Sequence, residues 1–301
     1  MRTLLARHVT LPDVQSHRSP RPFRLTRVGV TGVVKPLHVT RDGKRNTLVG
    51  TFDVFVDLPA EQRGTHMSRN IEVVNRLIDE HVRKETASLE DLASGIAHAL
   101  LERHEYAAEA EAHVSADYFR ERRTPQNHAP TLERYELAAR AHVGRNGEER
   151  RAIAVAVIGM TACPCAMEGS RTILTQQGHD VEGFPTVTHN QRNIATLEVE
   201  TGPGHYVEAD HLIDIAEASL SAPTYELLKR GDETALVMQA HMNPRFVEDV
   251  VREMLHGVSE RYGNLPDDTV VLARSEAEES IHKHNAYAER TALLSELRGG
   301  S

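Results

Sequence analysis

The chain has 301 residues, 40% of them hydrophobic and 26% charged; with 19 Gly and 13 Pro this excludes collagen, coiled coil and wholesale disorder, and the length suits two domains or one repeat-built unit. Forty-four acidic against 35 basic residues give a net charge of −9 without a basic stripe, which excludes a dedicated nucleic-acid binder but leaves room for an anionic small molecule. No stretch reaches the ~18 apolar residues of a membrane span, and Arg, His and Pro break MRTLLARHVTLPDVQSHRSPRP before a signal-peptide core forms, so a cytoplasmic protein with no membrane partner is expected.

Residues 1–22 read as an extended arm. RLTRVGVTGVVKPLHV and TLVGTFDVFVDLP then alternate apolar and polar residues, the pattern of two half-buried strands joined at Asp42-Gly43. Ser68 reads as the cap of a helix with Ile71, Val74, Leu77, Ile78 and Val82 on one face. Ser88 caps a second helix through Leu89, Leu92, Ile96, Leu100 and Leu101, and AEAHVSADYF follows as a strand.

The second half repeats this order. TLERYELAARAHV and RRAIAVAVIGMTA form a strand pair around GRNGEE, an irregular segment runs from Cys163 to His189, and NIATLEVET is a strand. Helices follow over 209–220 and 244–255, and a strand over 269–275. The expected fold is α+β, with tandem ββααβ units: 23–128, then 129–290 carrying most of the site, with a tail over 291–301. Open sheet edges predict an oligomer closed edge to edge.

Chemistry-bearing residues cluster in three places. MTACPCAME holds both cysteines, Cys163 and Cys165, in a segment ending at His189. So short a loop strains a disulfide, which leaves either a functional thiolate or two inert buried thiols. RSEAEESIHKHNAYAER brings Glu279, His282 and His284 within six positions, and a helical start there puts Glu279 and His282 on one face. Exposed connecting residues are the alternative reading. RGTHMSRN places His66 and Arg69 at a helix mouth, where free N–H groups favour an anion. A thiolate, an imidazole and a carboxylate suit zinc or ferrous iron, and three protein ligands leave a fourth position for water with a lowered pKa. Spacing names no substrate.

LPDVQ, RGTHMSRN, ACPCAME, THNQRN, YELLKRGDE, NPRFVEDVVR and ESIHKHNAYAE, in this order from about residue 11 to 290, resemble the metal-dependent GTP cyclohydrolases, the bacterial type IB enzymes and their archaeal iron-dependent counterparts. The resemblance implies a tunnelling fold (T-fold) whose antiparallel sheets form an oligomeric barrel, as a homotetramer built from two dimers. It implies GTP as substrate, attack of metal-bound hydroxide at C8 of guanine, loss of C8 as formate and reclosure to a dihydropterin.

Carried over by motif, Cys163, His189, Glu279 and His282 are the catalytic residues, and Cys163, His189, His282 and His284 the metal set. His66, Arg69, Arg192, Lys229, Arg230 and His241 are candidates for binding substrate, although Lys229-Arg230 also reads as an exposed turn. Ser221-Ala222-Pro223-Thr224 lacks the carboxylate that bacterial type IB enzymes carry just before the matching Tyr, and 26 positions separate Cys163 from His189. These departures resemble the archaeal subclass. That subclass implies Fe(II), with Zn(II) or Mn(II) as alternatives, and dihydroneopterin 2′,3′-cyclic phosphate plus pyrophosphate for tetrahydromethanopterin-type or folate-like pathways. The alternatives are dihydroneopterin triphosphate for folate, a purine- or pterin-binding protein without turnover, or a structural zinc scaffold.

Overall fold

A computed structural model describes residues 12–41, 44–84 and 88–299. Its elements, in chain order, are β1 (Leu25–Arg41), β2 (Lys44–Leu58), α1 (Met67–Lys84), α2 (Leu89–Arg103), β3 (Glu109–Arg123), β4 (Pro130–Gly144), β5 (Glu149–Ala162) and α3 (Pro164–Gln176). There follow β6 (Asn190–Thr201), α4 (Ala209–Ser219), β7 (Ala222–Pro223), α5 (Arg230–Met242), α6 (Val247–Tyr262), β8 (Val270–Ala277), β9 (Ala286–Leu293) and α7 (Leu294–Arg298).

The strands form one antiparallel sheet in the order β1-β2-β3-β4-β5-β6-β8-β9, with the short β7 on β5. One face is covered by helices: α1 packs on β1, α2 on β3 and β4, α4 on β5, and α6 on β8 and β9. Alternation dictates this. Ala110, Ala112, Val114, Ala116 and Tyr118 of β3 are the buried set, every second residue, and their small side chains let α2 approach closely. Ile96 and Leu100 of α2 are fully buried, each contributing about 1.5–3 kcal/mol, so Ile96→Asn breaks this packing.

The opposite face is polar. Arg140 on β4 crosses Ala152 of β5 and reaches Glu200 on β6 at 2.9 Å and Glu198 at 2.8 Å. Both faces thus follow from the period-two pattern, apolar against the helices and charged away from them.

The expected strands and the helix pairs α1/α2 and α4/α6 are present, and Ser88 Oγ accepts Asp91 N–H at 3.1 Å as the cap of α2. Ser68 lies inside the first turn of α1 rather than before it. Asp42-Gly43 lies outside the described residues, as do residues 1–11 of the arm, the side chain of Val82, and residues 300–301 of the tail. The described part of the arm pairs with residues 61–64, through Ser19 N–H to Glu61 O and Arg63 N–H to His17 O. The sheet runs unbroken across residues 128–129, because β4 pairs with β3 along its whole length. Among the described residues no helix is long and apolar enough to cross a membrane.

Candidate active site

β5 and β6 pair with Ala162 opposite Asn190, which fixes the residues just beyond both strand ends. Cys163 N–H donates to His189 O at 3.0 Å, and Thr188 Oγ1–H donates to Cys163 O at 2.7 Å. Pro164 pre-sets the first helical φ of α3, and Cys163 caps that helix, its Sγ accepting Ala166 N–H at 3.5 Å. Where the sequence suggested an irregular stretch, α3 and a pinned loop stand. Ser170 Oγ–H donates to Val187 O and Thr186 Oγ1–H to Met167 O, both at 2.6 Å, so the loop returns onto α3 and delivers His189.

His189 Nδ1 lies 2.9 Å from Gln191 Oε1, and Gln191 Nε2 donates to Thr161 Oγ1 at 3.1 Å. Gln191 Oε1 only accepts, so Nδ1 carries the proton and Nε2 offers its lone pair, the tautomer a metal ligand needs. Glu278 N–H donates to Arg192 O at 2.8 Å, extending the β6–β8 ladder and bringing Glu279 within 3.6 Å of His189 Nδ1. Glu279 Oε2 is buried without a hydrogen-bond partner. The orphaned carboxylate oxygen of Glu279 and the oriented imidazole of His189 are two donors of the kind a divalent ion takes.

His282 and His284 do not join that group. Residues 278–285 form an irregular connection instead of a helical start, so Glu279 and His282 share no helix face. Both histidines are exposed, their rings stacked with centroids 5.1 Å apart. Among the described residues no three His, Cys, Asp or Glu side chains converge on one point. The motif-derived ligands are therefore not gathered within one chain as it stands, because the 278–285 connection holds its imidazoles away from His189.

Toward the same end of the sheet lies a cleft of about 290 Å3 lined by Arg192, Glu133, Glu217, Thr224 and Tyr225 among others. Glu217, near the end of α4, is buried; Tyr135 O–H donates to its Oε1 at 2.6 Å and Arg122 to its Oε2. Burial pushes the Glu217 carboxyl above its ordinary range despite these partners. Burial, with the Glu217 charge beside it, likewise pushes the Tyr135 hydroxyl up. Glu133, Tyr135 and Glu217 were not anticipated from sequence. The legible signal was Glu217 itself, an ionisable residue on the face of α4 shared by Leu212, Ile213 and Ala216.

Lys229 and Arg230 are exposed at the start of α5 rather than in a bare turn. Asp232 fixes that start by accepting Gln126 N–H at 3.0 Å, Asn127 N–H at 2.9 Å and Lys229 N–H at 3.3 Å. His241 sits on α5 with Nδ1 donating to Val237 O at 2.8 Å, which leaves Nε2 available. His66 and Arg69 sit at the opposite end of the sheet, just after β2, where His66 Nε2 meets Asp13 Oδ1 at 2.9 Å and Arg69 reaches Arg103 O. A 14-residue strand at about 3.4 Å per residue separates the two ends by roughly 45 Å. Those two residues therefore share one bound nucleotide with Cys163 only if another copy presents them.

The sheet with its one-sided helical layer is that of a tunnelling-fold α+β protein. Uricase from Arthrobacter globiformis matches with a TM-score of 0.55 at 10% identity, over 92% of this chain and 94% of that one. Uricase from Bacillus fastidious matches with a TM-score of 0.51, also at 10% identity, over 93% and 96%. These likenesses show the fold alone. The family model "Type I GTP cyclohydrolase folE2" matches residues 11–288, and the chain belongs to that family. Its relatives include GTP cyclohydrolase MptA of Methanothermobacter thermautotrophicus, 43% identical over 96% of both chains. GTP cyclohydrolase MptA of Methanoregula boonei is also 43% identical, over 96% of this chain and 93% of that one. The family is one of enzymes, hydrolases acting on cyclic amidines.

Proposed function

We propose that the chain is a GTP cyclohydrolase that opens the guanine imidazole ring at C8 by hydrolysis, releases formate, and recloses the product to 7,8-dihydroneopterin 2′,3′-cyclic phosphate with loss of pyrophosphate. The observation that carries this reading is the buried carboxylate of Glu217 in a cleft that it shares with Arg192, three residues beyond His189 in the chain. Guanine presents N1–H and a 2-amino group on one edge, a donor pair that a buried carboxylate matches. The relatives named above, which act on GTP by name, support the substrate.

Cys163 and His189 would hold a divalent ion, Fe(II) before Zn(II) or Mn(II), with His282 and His284 as the further ligands the motif offers. When bound, such an ion supplies water with a pKa lowered toward neutrality. Glu279 Oε2 accepts the proton of the attacking water and returns it to the ring nitrogen freed at C8. Gln191 keeps His189 in the required tautomer. Arg192, Lys229 and Arg230 hold the phosphates. Edges β1 and β9 pair with other copies to close a barrel of tandem units, as a homotetramer of two dimers, which removes both exposed edges.

The test is anaerobic turnover of GTP by Fe(II)-loaded protein, with the phosphates identified by mass. Cyclic phosphate with pyrophosphate is the expected result. An intact triphosphate chain on the pterin contradicts the cyclising reading and assigns the folate-type outcome.

A further inference from the structure

One carboxylate in the cleft has no part in the reaction as set out above. Glu133 is only 7% exposed, and both its oxygens face Glu226 N–H, at 3.1 and 3.2 Å. Thr131 Oγ1–H donates to Oε1 at 2.7 Å and fixes the carboxylate from the other side. The segment it grips leaves the sheet after β7 and carries Thr224 and Tyr225 into the cleft and Lys229 and Arg230 to the start of α5.

That segment has three anchors. Thr224 Oγ1–H donates to Ile158 O at 2.8 Å, Glu226 N–H to Glu133, and Lys229 N–H to Asp232. Tyr225 lies between the first two, so its place depends on both. β4 is the common template: Tyr135 bonds Glu217 on one wall, and Glu133, two residues earlier on the same strand face, bonds the backbone of the other. With the Glu226 anchor removed, the segment gains freedom at Tyr225, where the cleft must keep its width, whereas the Lys229 anchor lies beyond the cleft wall.

We propose that Glu133 is a positioning residue for the purine cleft, holding the Thr224–Glu226 wall opposite Glu217 through the Glu226 amide. It touches no substrate. This rests on the reading of the cleft as the guanine site. Removing the carboxylate widens the cleft and weakens guanine binding, while His189 and the proton-transfer group Glu279 stay in place. The effect falls on KM and on nucleoside affinity, with kcat little changed.

The experiment compares wild type, Glu133→Ala and Glu133→Gln by calorimetric binding of guanosine and by formate release from GTP. Glu133→Ala is expected to weaken guanosine binding and raise KM about tenfold, the order of one lost hydrogen bond to a charged group. Glu133→Gln, whose carbonyl oxygen still accepts Glu226 N–H, is expected to recover most of that loss. Unchanged guanosine affinity in Glu133→Ala overturns the proposal, as does a Gln variant no better than the Ala variant in folded, thermally matched protein. If wild type binds guanosine yet releases no formate, the cyclohydrolase reading fails, and the ratio of guanosine affinities still decides the role of Glu133. Absence of guanosine binding by wild type overturns both.

Discussion

Cys163 and His189 are 26 positions apart in the chain, yet the amide of one donates to the carbonyl of the other at 3.0 Å. The bond continues the β5–β6 ladder past its last pair, so the placement of both side chains is inherited from the sheet rather than from a flexible loop. The backbone of these two residues thus holds its geometry before any ligand arrives.

Gln191 is the residue that fixes the free nitrogen of His189. Gln191→Ala is expected to lower metal affinity about 10- to 100-fold with the fold intact, the usual loss when a ligand histidine loses its outer partner. Competition with a chelator, followed by metal analysis and circular dichroism, measures it. Affinity equal to wild type contradicts the assigned tautomer.

Glu217→Gln replaces with a donor one of two carboxylate oxygens that also accept from Tyr135 and Arg122. GTP binding is expected to weaken about 10- to 100-fold, with a smaller loss for ITP, which lacks the 2-amino group. Equal losses for the two nucleotides contradict the pairing of Glu217 with the guanine edge.

His104 is buried between Asn70, whose Oδ1 lies 2.6 Å from Nε2, and the Tyr106 hydroxyl, 2.9 Å from Nδ1. Burial first, and then the charge of Arg69, pushes its pKa from the ordinary 6.5 to about 4. The folded chain therefore binds fewer protons than the unfolded one in this range. The stability tied to neutral His104 is complete above pH 6.5 and lost as pH falls through about 4, in all about 3 kcal/mol. Urea denaturation from pH 7 to 4 at constant protein concentration is expected to show that extra slope in wild type and not in His104→Gln. Parallel curves contradict it.

Asp232 accepts from two backbone amides of the β3–β4 turn, the Asn127 side chain at 2.7 Å and Lys229 N–H. These bonds hold its carboxyl well below the usual carboxylate range, against the opposing effect of burial. Asp232→Ala leaves the donors unmatched, so Tm falls. With Lys229 and Arg230 released, KM for GTP rises several-fold while guanosine affinity holds. A proportional loss of guanosine binding contradicts the phosphate role of that pair.

Much of the fold was legible because β1–β6, α1, α2, α4 and α6 bury alternating or helical stripes. α3 was not, because Met167 is its one buried residue and no stripe exists to read. α5 buries only Asp232, Leu236 and Ala240, and most of β9 is exposed, so both lack a pattern for the same reason. Cys163, His189 and Glu279 came from motifs, and the β5–β6–β8 ladder explains why they lie at one end of the sheet. His66 and Arg69 came from a motif as substrate-binding candidates, and sequence carries no record of which sheet end, or which copy, presents a loop to the site. Glu133 and Tyr135 were invisible as chemistry, since on a strand of alternating residues they read as ordinary members.

The central claim is hydrolysis of GTP at a site built on Cys163 and His189. Its most direct test is formate release from GTP by anaerobically purified, metal-stripped protein to which Fe(II), Mn(II) or Zn(II) is returned. The account predicts stoichiometric formate and a fluorescent oxidised pterin with Fe(II), and none from His189→Ala. Folded wild-type protein that binds GTP yet releases no formate with any of the three metals contradicts it.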